Sequence, residues 1–308
     1  RCSRMKITES TVSADPIVVI MGPTASGKSA LALELARKRG GEIVSVDSMQ
    51  FYRGLEIGTA QPTAEEQMEI PHHLVGCFDF HERIDVFMFQ RLADAAIAEI
   101  RQRGRLPVLA GGTGLYLRAL LYGLDDLPAD PGLRKELDAA YDSEAGETAL
   151  KRRMAELDPA GLARWENCRR RLIRALEVRL LTGKSILELQ KNPFDRLRYP
   201  VRAWRLDPEP EVLRERIARR ARRMLETGWI EEAERAIASG LLETPTAHQA
   251  LGYRLIAEHL AGRFDFEELH ARISTATWQL ARRQRTWFRH QHPEAEPLRS
   301  GASVPETA

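Results

Sequence analysis

The residues Gly22-Pro23-Thr24-Ala25-Ser26-Gly27-Lys28-Ser29 have the types and spacing of a phosphate cradle, G-x-x-x-x-G-K-[ST]. Backbone N–H groups of such a loop converge on one spot, where the dipole of the following helix favours negative charge. Lys28 adds a point charge there, and the Ser29 hydroxyl is a ligand type that suits magnesium. A carboxylate follows at Asp47, the last residue of the run Ile43-Val44-Ser45-Val46-Asp47. Parallel strands present ligand sites at their carboxyl ends, so Asp47 is expected beside the phosphate loop. Chemistry alone leaves two roles open for it, a general base on an incoming nucleophile and a member of the magnesium shell. Adjacent His72 and His73 point apart on a strand or a helix, which argues for a structural role over a metal site.

These groups need elements to hold them. The apolar run Pro16 to Met21 reads as a buried strand before the loop, and Ala30 to Ala36 as the helix after it. Ser48 to Pro62 reads as an irregular active-site loop. The apolar set Phe89, Leu92, Ala96, Ile97 and Ile100 repeats at helical spacing, and Pro107 to Ala110 makes a third strand ending in Gly111-Gly112-Thr113. That strand lacks the terminal Asp or Glu usual in nucleotide-hydrolysing enzymes with this loop, so hydrolysis is the weaker reading. Alternating strands and helices imply an α/β parallel sheet.

From about residue 128 to Pro193 the signals are helical only. Asp130 and Asp158 stand as N-caps before prolines, and Gly183 stands as a stop. A strand returns at Val201 to Leu206, and helices follow to about His290. The expected organisation is a core of residues 15–127 and 200–290, an all-helical insertion at 128–199, and disordered tails at 1–14 and 291–308. Residues 1–14 read as a loose leader containing a candidate start at Met5.

Arginines cluster in three places: Arg164 to Arg179, Arg214 to Arg223, and Arg272 to Arg289 beside Trp278, Trp287 and Phe288. Each alone reads as a solvated face. Three clusters with interleaved aromatics, in a chain of net charge +2, shift the balance toward nucleic acid. The 308 residues are 43% hydrophobic and 29% charged, ordinary for a globular protein. Three separated cysteines argue against a disulfide framework or zinc site. Apolar runs are strand-sized, short of the ~20 residues of a membrane helix. No secretory pattern opens the chain, so a cytoplasmic protein is expected.

Together, several blocks resemble the tRNA dimethylallyltransferase (IPP transferase) family. They are the phosphate loop, Val46 to Gly54, Ile57-Gly58-Thr59-Ala60, Gly111 to Tyr116, Arg170 to Val178, Gln249 to Arg254 and Arg283-Gln284-Arg285-Thr286-Trp287. The likeness runs from about Ile17 to His290 with the blocks in family order. It implies a P-loop NTPase-like core with a helical insertion that grips the tRNA anticodon stem-loop. It also implies transfer of a dimethylallyl group from dimethylallyl diphosphate, with Mg2+, to the exocyclic amine of adenosine 37. The tRNAs concerned read codons beginning with U, and the product is N6-(dimethylallyl)adenosine.

By match, Asp47 is the general base and Thr113 hydrogen-bonds the reacting end of the donor. Arg220 joins Gly22 to Ser29 on the diphosphate. Asp47 and Thr113 also face the tRNA with Ser48, Met49, Gln50, Arg134, Arg170, Arg171, Leu172, Ile173, Arg174 and the segment Gln249, Ala250, Leu251, Gly252, Tyr253 and Arg254. Trp278 stands where a basic residue is usual, and Cys168 where an Asp is usual. The competing readings are prenylation of free AMP, ADP or ATP, a small-molecule kinase, and a nucleotide-gated RNA-binding protein. Nothing in the sequence demands more than a monomer.

Overall fold

The structure, a computed structural model, describes residues 16–191 and 196–298. Its contacts divide the chain into residues 1–121 with 197–308, and residues 122–196.

The larger unit begins with β1 (Ile17–Met21), α1 (Lys28–Arg39) and β2 (Gly41–Val46). After these come α2 (Ala64–Glu69), the two-residue β3 (His72–His73), α3 (Val86–Gln102), β4 (Leu106–Gly111) and α4 (Gly114–Tyr122). All residues of β1 and β2 are buried, as a sheet covered on both faces requires. Val18 and Ile20 pack on Ala32, Leu33, Leu35 and Ala36 of α1. Phe51, Phe89 and Tyr116 form an aromatic cluster with ring centroids 4.6 to 6.1 Å apart. The histidine pair forms a sheet edge, where His73 Nε2 lies 2.7 Å from the Glu42 carboxylate.

The helical unit holds α5 (Pro131–Ala140), α6 (Glu144–Leu157), α7 (Pro159–Trp165), α8 (Arg169–Thr182) and α9 (Ile186–Leu189). Asp130 and Asp158 cap α5 and α7 as expected, accepting from Leu133 N and Gly161 N at 3.0 Å. Cys168 at the N-cap of α8 makes no side-chain cap bond. Leu137, Tyr141, Leu150, Met154, Leu172 and Leu176 belong to a core of this unit's own.

The chain then returns through β5 (Val201–Leu206), α10 (Pro210–Met224), α11 (Ile230–Ala238), α12 (Tyr253–Leu260), α13 (Phe266–Gln291) and β6 (Ala295–Leu298). The strand at 295–298 corrects the expectation of an unstructured tail from residue 291. It pairs with β5, and backbone pairing stabilises it where composition offers few apolar groups. Residues 1–14 and 299–308 lie outside the described residues.

The sheet order is β3-β2-β4-β1-β5-β6, parallel throughout. In register, Met21 and Val46 both pair with Gly111. The loops after β1, β2 and β4 therefore emerge together at one carboxyl edge. Among the described residues, no helix is long and apolar enough to cross a membrane.

Candidate active site

The loop after β1 turns into α1 at Gly27, whose φ of +96° lies in the left-handed region that glycine enters freely. No side chain caps the N-terminus of α1, which leaves its first amides available to an anion. Lys28 Nζ leans on Pro23 O at 3.3 Å. Part of this residue reaches the surface, but its ammonium is enclosed. That burial lowers its pKa to about 8 against the opposing pull of Asp47, with Arg220 lowering it further. Arg220, on α10, reaches Thr24 Oγ1 at 3.4 Å, and burial lowers its pKa too, again opposed by Asp47. Two enclosed cations thus face one carboxylate, an excess of positive charge that a polyphosphate would balance.

Asp47 follows β2 directly, and its Oδ1 accepts from Met49 N at 3.0 Å, which turns the chain. Thr113 Oγ1 accepts from Ser48 N at 3.0 Å and sits 3.4 Å from Ser48 Oγ. Its own N–H reaches Val46 O at 3.2 Å. Gln50 extends the wall, accepting from Ser45 Oγ at 2.7 Å and donating to Ala60 O at 2.9 Å. Lys28, Ser29, Asp47, Thr113 and Arg220 line one cavity of about 450 Å³. Ser48, Met49, Gln50, Gln249 and Leu251 line it too, as do Thr24 and Ala25.

Several residues without an assigned role complete this cavity. Gln284 on α13 accepts from Thr24 N at 2.8 Å and donates to Gly112 O at 2.9 Å, so one side chain ties the β1 loop to the β4 loop. Trp287 and Trp229 are wall residues. The block Arg283 to Trp287 was the signal for two of these. Trp229 had none.

Other expected contacts are placed differently. Leu172 and Ile173 are buried in the core of the helical unit, because they occupy the inward face of α8. Ala250, Gly252 and Tyr253 are buried as well, leaving Arg254 exposed beside the wall residues Gln249 and Leu251. Arg134 and Arg174 both bind the buried Glu177, and Arg174 also donates to Pro128 O at 2.8 Å and Leu127 O at 2.9 Å. Arg170 and Arg171 remain exposed without an ion pair among the described residues.

The α10 cluster is not one basic face. Arg216 and Arg220 reach the phosphate loop, Arg222 pairs with Glu267, and the Arg214 guanidinium lies 4.5 Å from the Trp278 ring centroid. On α13, Arg285 and Arg289 bind Asp207, each with Nε 2.7 Å from a carboxylate oxygen.

Among the described residues, no group of three or more His, Cys, Asp or Glu is arranged to hold a metal. The donor set at Ser29, a single hydroxyl beside a phosphate cradle, suits magnesium, which binds through few protein ligands together with substrate phosphates.

A family model described as IPP transferase matches residues 50–291, and one described as isopentenyl transferase matches residues 16–72. The chain is 48% identical over 297 residues to a tRNA dimethylallyltransferase of Methylococcus capsulatus (strain ATCC 33009 / NCIMB 11132 / Bath), covering 93% of each chain. It is 46% identical over 276 residues to that of Anaeromyxobacter dehalogenans (strain 2CP-C), covering 89% of this chain and 91% of the other. Among solved structures, the full-length tRNA isopentenylpyrophosphate transferase of Bacillus halodurans superposes with a TM-score of 0.67 at 38% identity, covering 95% and 92%. A eukaryotic dimethylallyltransferase acting on tRNA superposes at 0.75 and 27% identity, covering 93% of this chain and 74% of that one.

Proposed function

The chain belongs to the IPP transferase family, and on that premise we propose that it transfers a dimethylallyl group from dimethylallyl diphosphate to adenosine 37 of tRNA. The acceptor atom is the exocyclic amine, in tRNAs reading codons that begin with U. The observation that carries this reading is the single cavity in which the phosphate loop, Arg220, Asp47 and Thr113 meet.

In this reaction the bond between C1 of the allyl group and the diphosphate oxygen breaks, and its electron pair leaves with the diphosphate. A bond forms between adenine N6 and C1, and N6 loses a proton. An aromatic amine is a poor nucleophile, so the rate depends on stabilising the departing charge. Lys28, Arg220 and the amides at the N-terminus of α1 supply that stabilisation. The Ser29 hydroxyl would hold magnesium, which would supply charge neutralisation to the leaving group. Asp47 takes the proton from N6. The Thr113 hydroxyl, fixed against Ser48, hydrogen-bonds the reacting end of the donor. The base must leave the anticodon-loop stack to reach this cavity, and Arg170 and Arg171 hold RNA phosphates meanwhile. The working form is a monomer in the cytoplasm.

The test incubates the protein with dimethylallyl diphosphate, magnesium and unmodified tRNA, or free AMP, followed by mass spectrometry of nucleosides. Prenylated adenosine in tRNA and none in AMP is the expected result. Prenylation of AMP alone, or ATP-dependent phosphate transfer with no prenylation, would replace this reading.

A further inference from the structure

Two of the sequence blocks that carry the family likeness, Ile57 to Ala60 and Gln249 to Arg254, meet at a residue outside both. Glu232, on α11, is buried, and it has no lysine or arginine partner among the described residues. Its Oε2 accepts from Ile57 N at 2.7 Å. Its Oε1 accepts from Gly58 N at 2.8 Å and from the Tyr253 hydroxyl at 2.7 Å. A buried carboxylate without a cation is costly unless its lone pairs are filled, and here two successive backbone amides and a phenol fill them.

The seat is also tight. A methyl group at Gly58 would overlap the Trp229 indole nitrogen and the Tyr253 hydroxyl. Gly58, Thr59, Ala60 and Trp229 all line the cavity that contains Asp47. The carbonyls of Thr59 and Ala60 in turn accept from Gln50 Nε2 at 3.3 and 2.9 Å, and Gln50 binds Ser45 on β2, two residues before Asp47. None of these groups belongs to the phosphate cradle.

We propose that Glu232 is a positioning residue for prenyl transfer: it clamps the Ile57–Ala60 wall to α11 and so sets where the acceptor base sits against Asp47. This rests on the function proposed above. It assigns Gly252-Tyr253 to the clamp and not to RNA contact. The carboxylate is required because three donors converge on it. A carboxamide has one acceptor oxygen, and its NH2 would face a backbone N–H.

The test uses the full chain with Glu232→Gln. The expected result is a fall of about tenfold or more in kcat for tRNA prenylation, as misplacement of a reacting partner produces. Affinity for inorganic diphosphate should hold within about twofold, since the cradle is untouched. Amide hydrogen exchange should quicken at Ile57 and Gly58 while Leu31, bonded to Gly27 O in the phosphate loop, stays protected. Tyr253→Phe, which keeps the ring and removes one donor, should act in the same direction more weakly. The double variant should lose less than the sum of the two. A wild-type kcat in Glu232→Gln would overturn the proposal, as would diphosphate affinity falling in step with rate or unchanged exchange at Ile57 and Gly58. If Glu232→Gln does not fold, a wild-type kcat in Tyr253→Phe has the same force. Wild-type protein that prenylates nothing would instead sink the proposed function, and the exchange data would still decide the clamp.

Discussion

Lys28 and Arg220 are cations enclosed with one carboxylate, Asp47, and each has its pKa lowered by burial. In the free protein Lys28 titrates at about 8, below its ordinary 10.5. The unfolded chain therefore binds more protons between these values, and stability of the free protein rises with pH across that window. Diphosphate favours the charged lysine, so the lysine's contribution to affinity is present below pH 8 and falls as pH rises through it. Calorimetry near pH 8 in buffers of different ionisation enthalpy should register a proton-uptake component from Lys28 on binding diphosphate. Lys28→Arg, whose guanidinium does not titrate there, should lose that component. Asp47 is tested at the same scale. Asp47→Ala should lower kcat by about a hundredfold or more if the carboxylate takes the N6 proton, with diphosphate affinity kept. Equal losses in rate and binding would point to the magnesium shell.

At the scale of the element, α8 divides its arginines between two tasks. Arg174 is spent on Glu177 and on the carbonyls of Leu127 and Pro128, whereas Arg170 and Arg171 are exposed with no ion pair among the described residues. Replacing both Arg170 and Arg171 with alanine should raise the tRNA KM and reduce the salt slope of binding by about one unit per arginine. Arg174→Ala should instead lower the melting temperature, because it strips a donor from two carbonyls and from a buried carboxylate. Equal salt slopes in all variants would make α8 an ordinary solvated face.

Across the whole molecule, long-range bonds hold the reaction cavity. Asp207, just after β5, anchors α13 through Arg285 and Arg289, and the same helix carries Gln284 and Trp287 to the phosphate loop and cavity wall. Asp207→Asn should cost about 2 kcal/mol of stability, the scale of a charge-assisted hydrogen bond, measured by denaturant unfolding. Turnover should drop with it, since Gln284 bridges two active-site loops. A stable, fully active Asp207→Asn variant would mean α13 is held by apolar packing alone.

The phosphate loop, the place of Asp47, the helices of the stretch after residue 128 and the caps at Asp130 and Asp158 were legible from sequence. Each rests on local rules: a strand-loop-helix motif, strand ends sharing one edge of a parallel sheet, and side chains capping amides two or three residues on. Which arginines are free was not legible, because their partners are remote. Arg285 meets a carboxylate 78 positions away, and Arg220 meets Thr24 across 196. Leu172, Ile173 and Tyr253 sat in the expected RNA segments, yet packing turned them inward. The strand at 295–298 exists only because β5 offers it an edge. The clamp at Glu232 joins residues 174 positions apart and carried no motif at all. Sequence determined which groups could do the chemistry. Tertiary structure decided which charges are free to act and what holds the acceptor wall in place, because pairing over such separations depends on topology and not on neighbours in the chain.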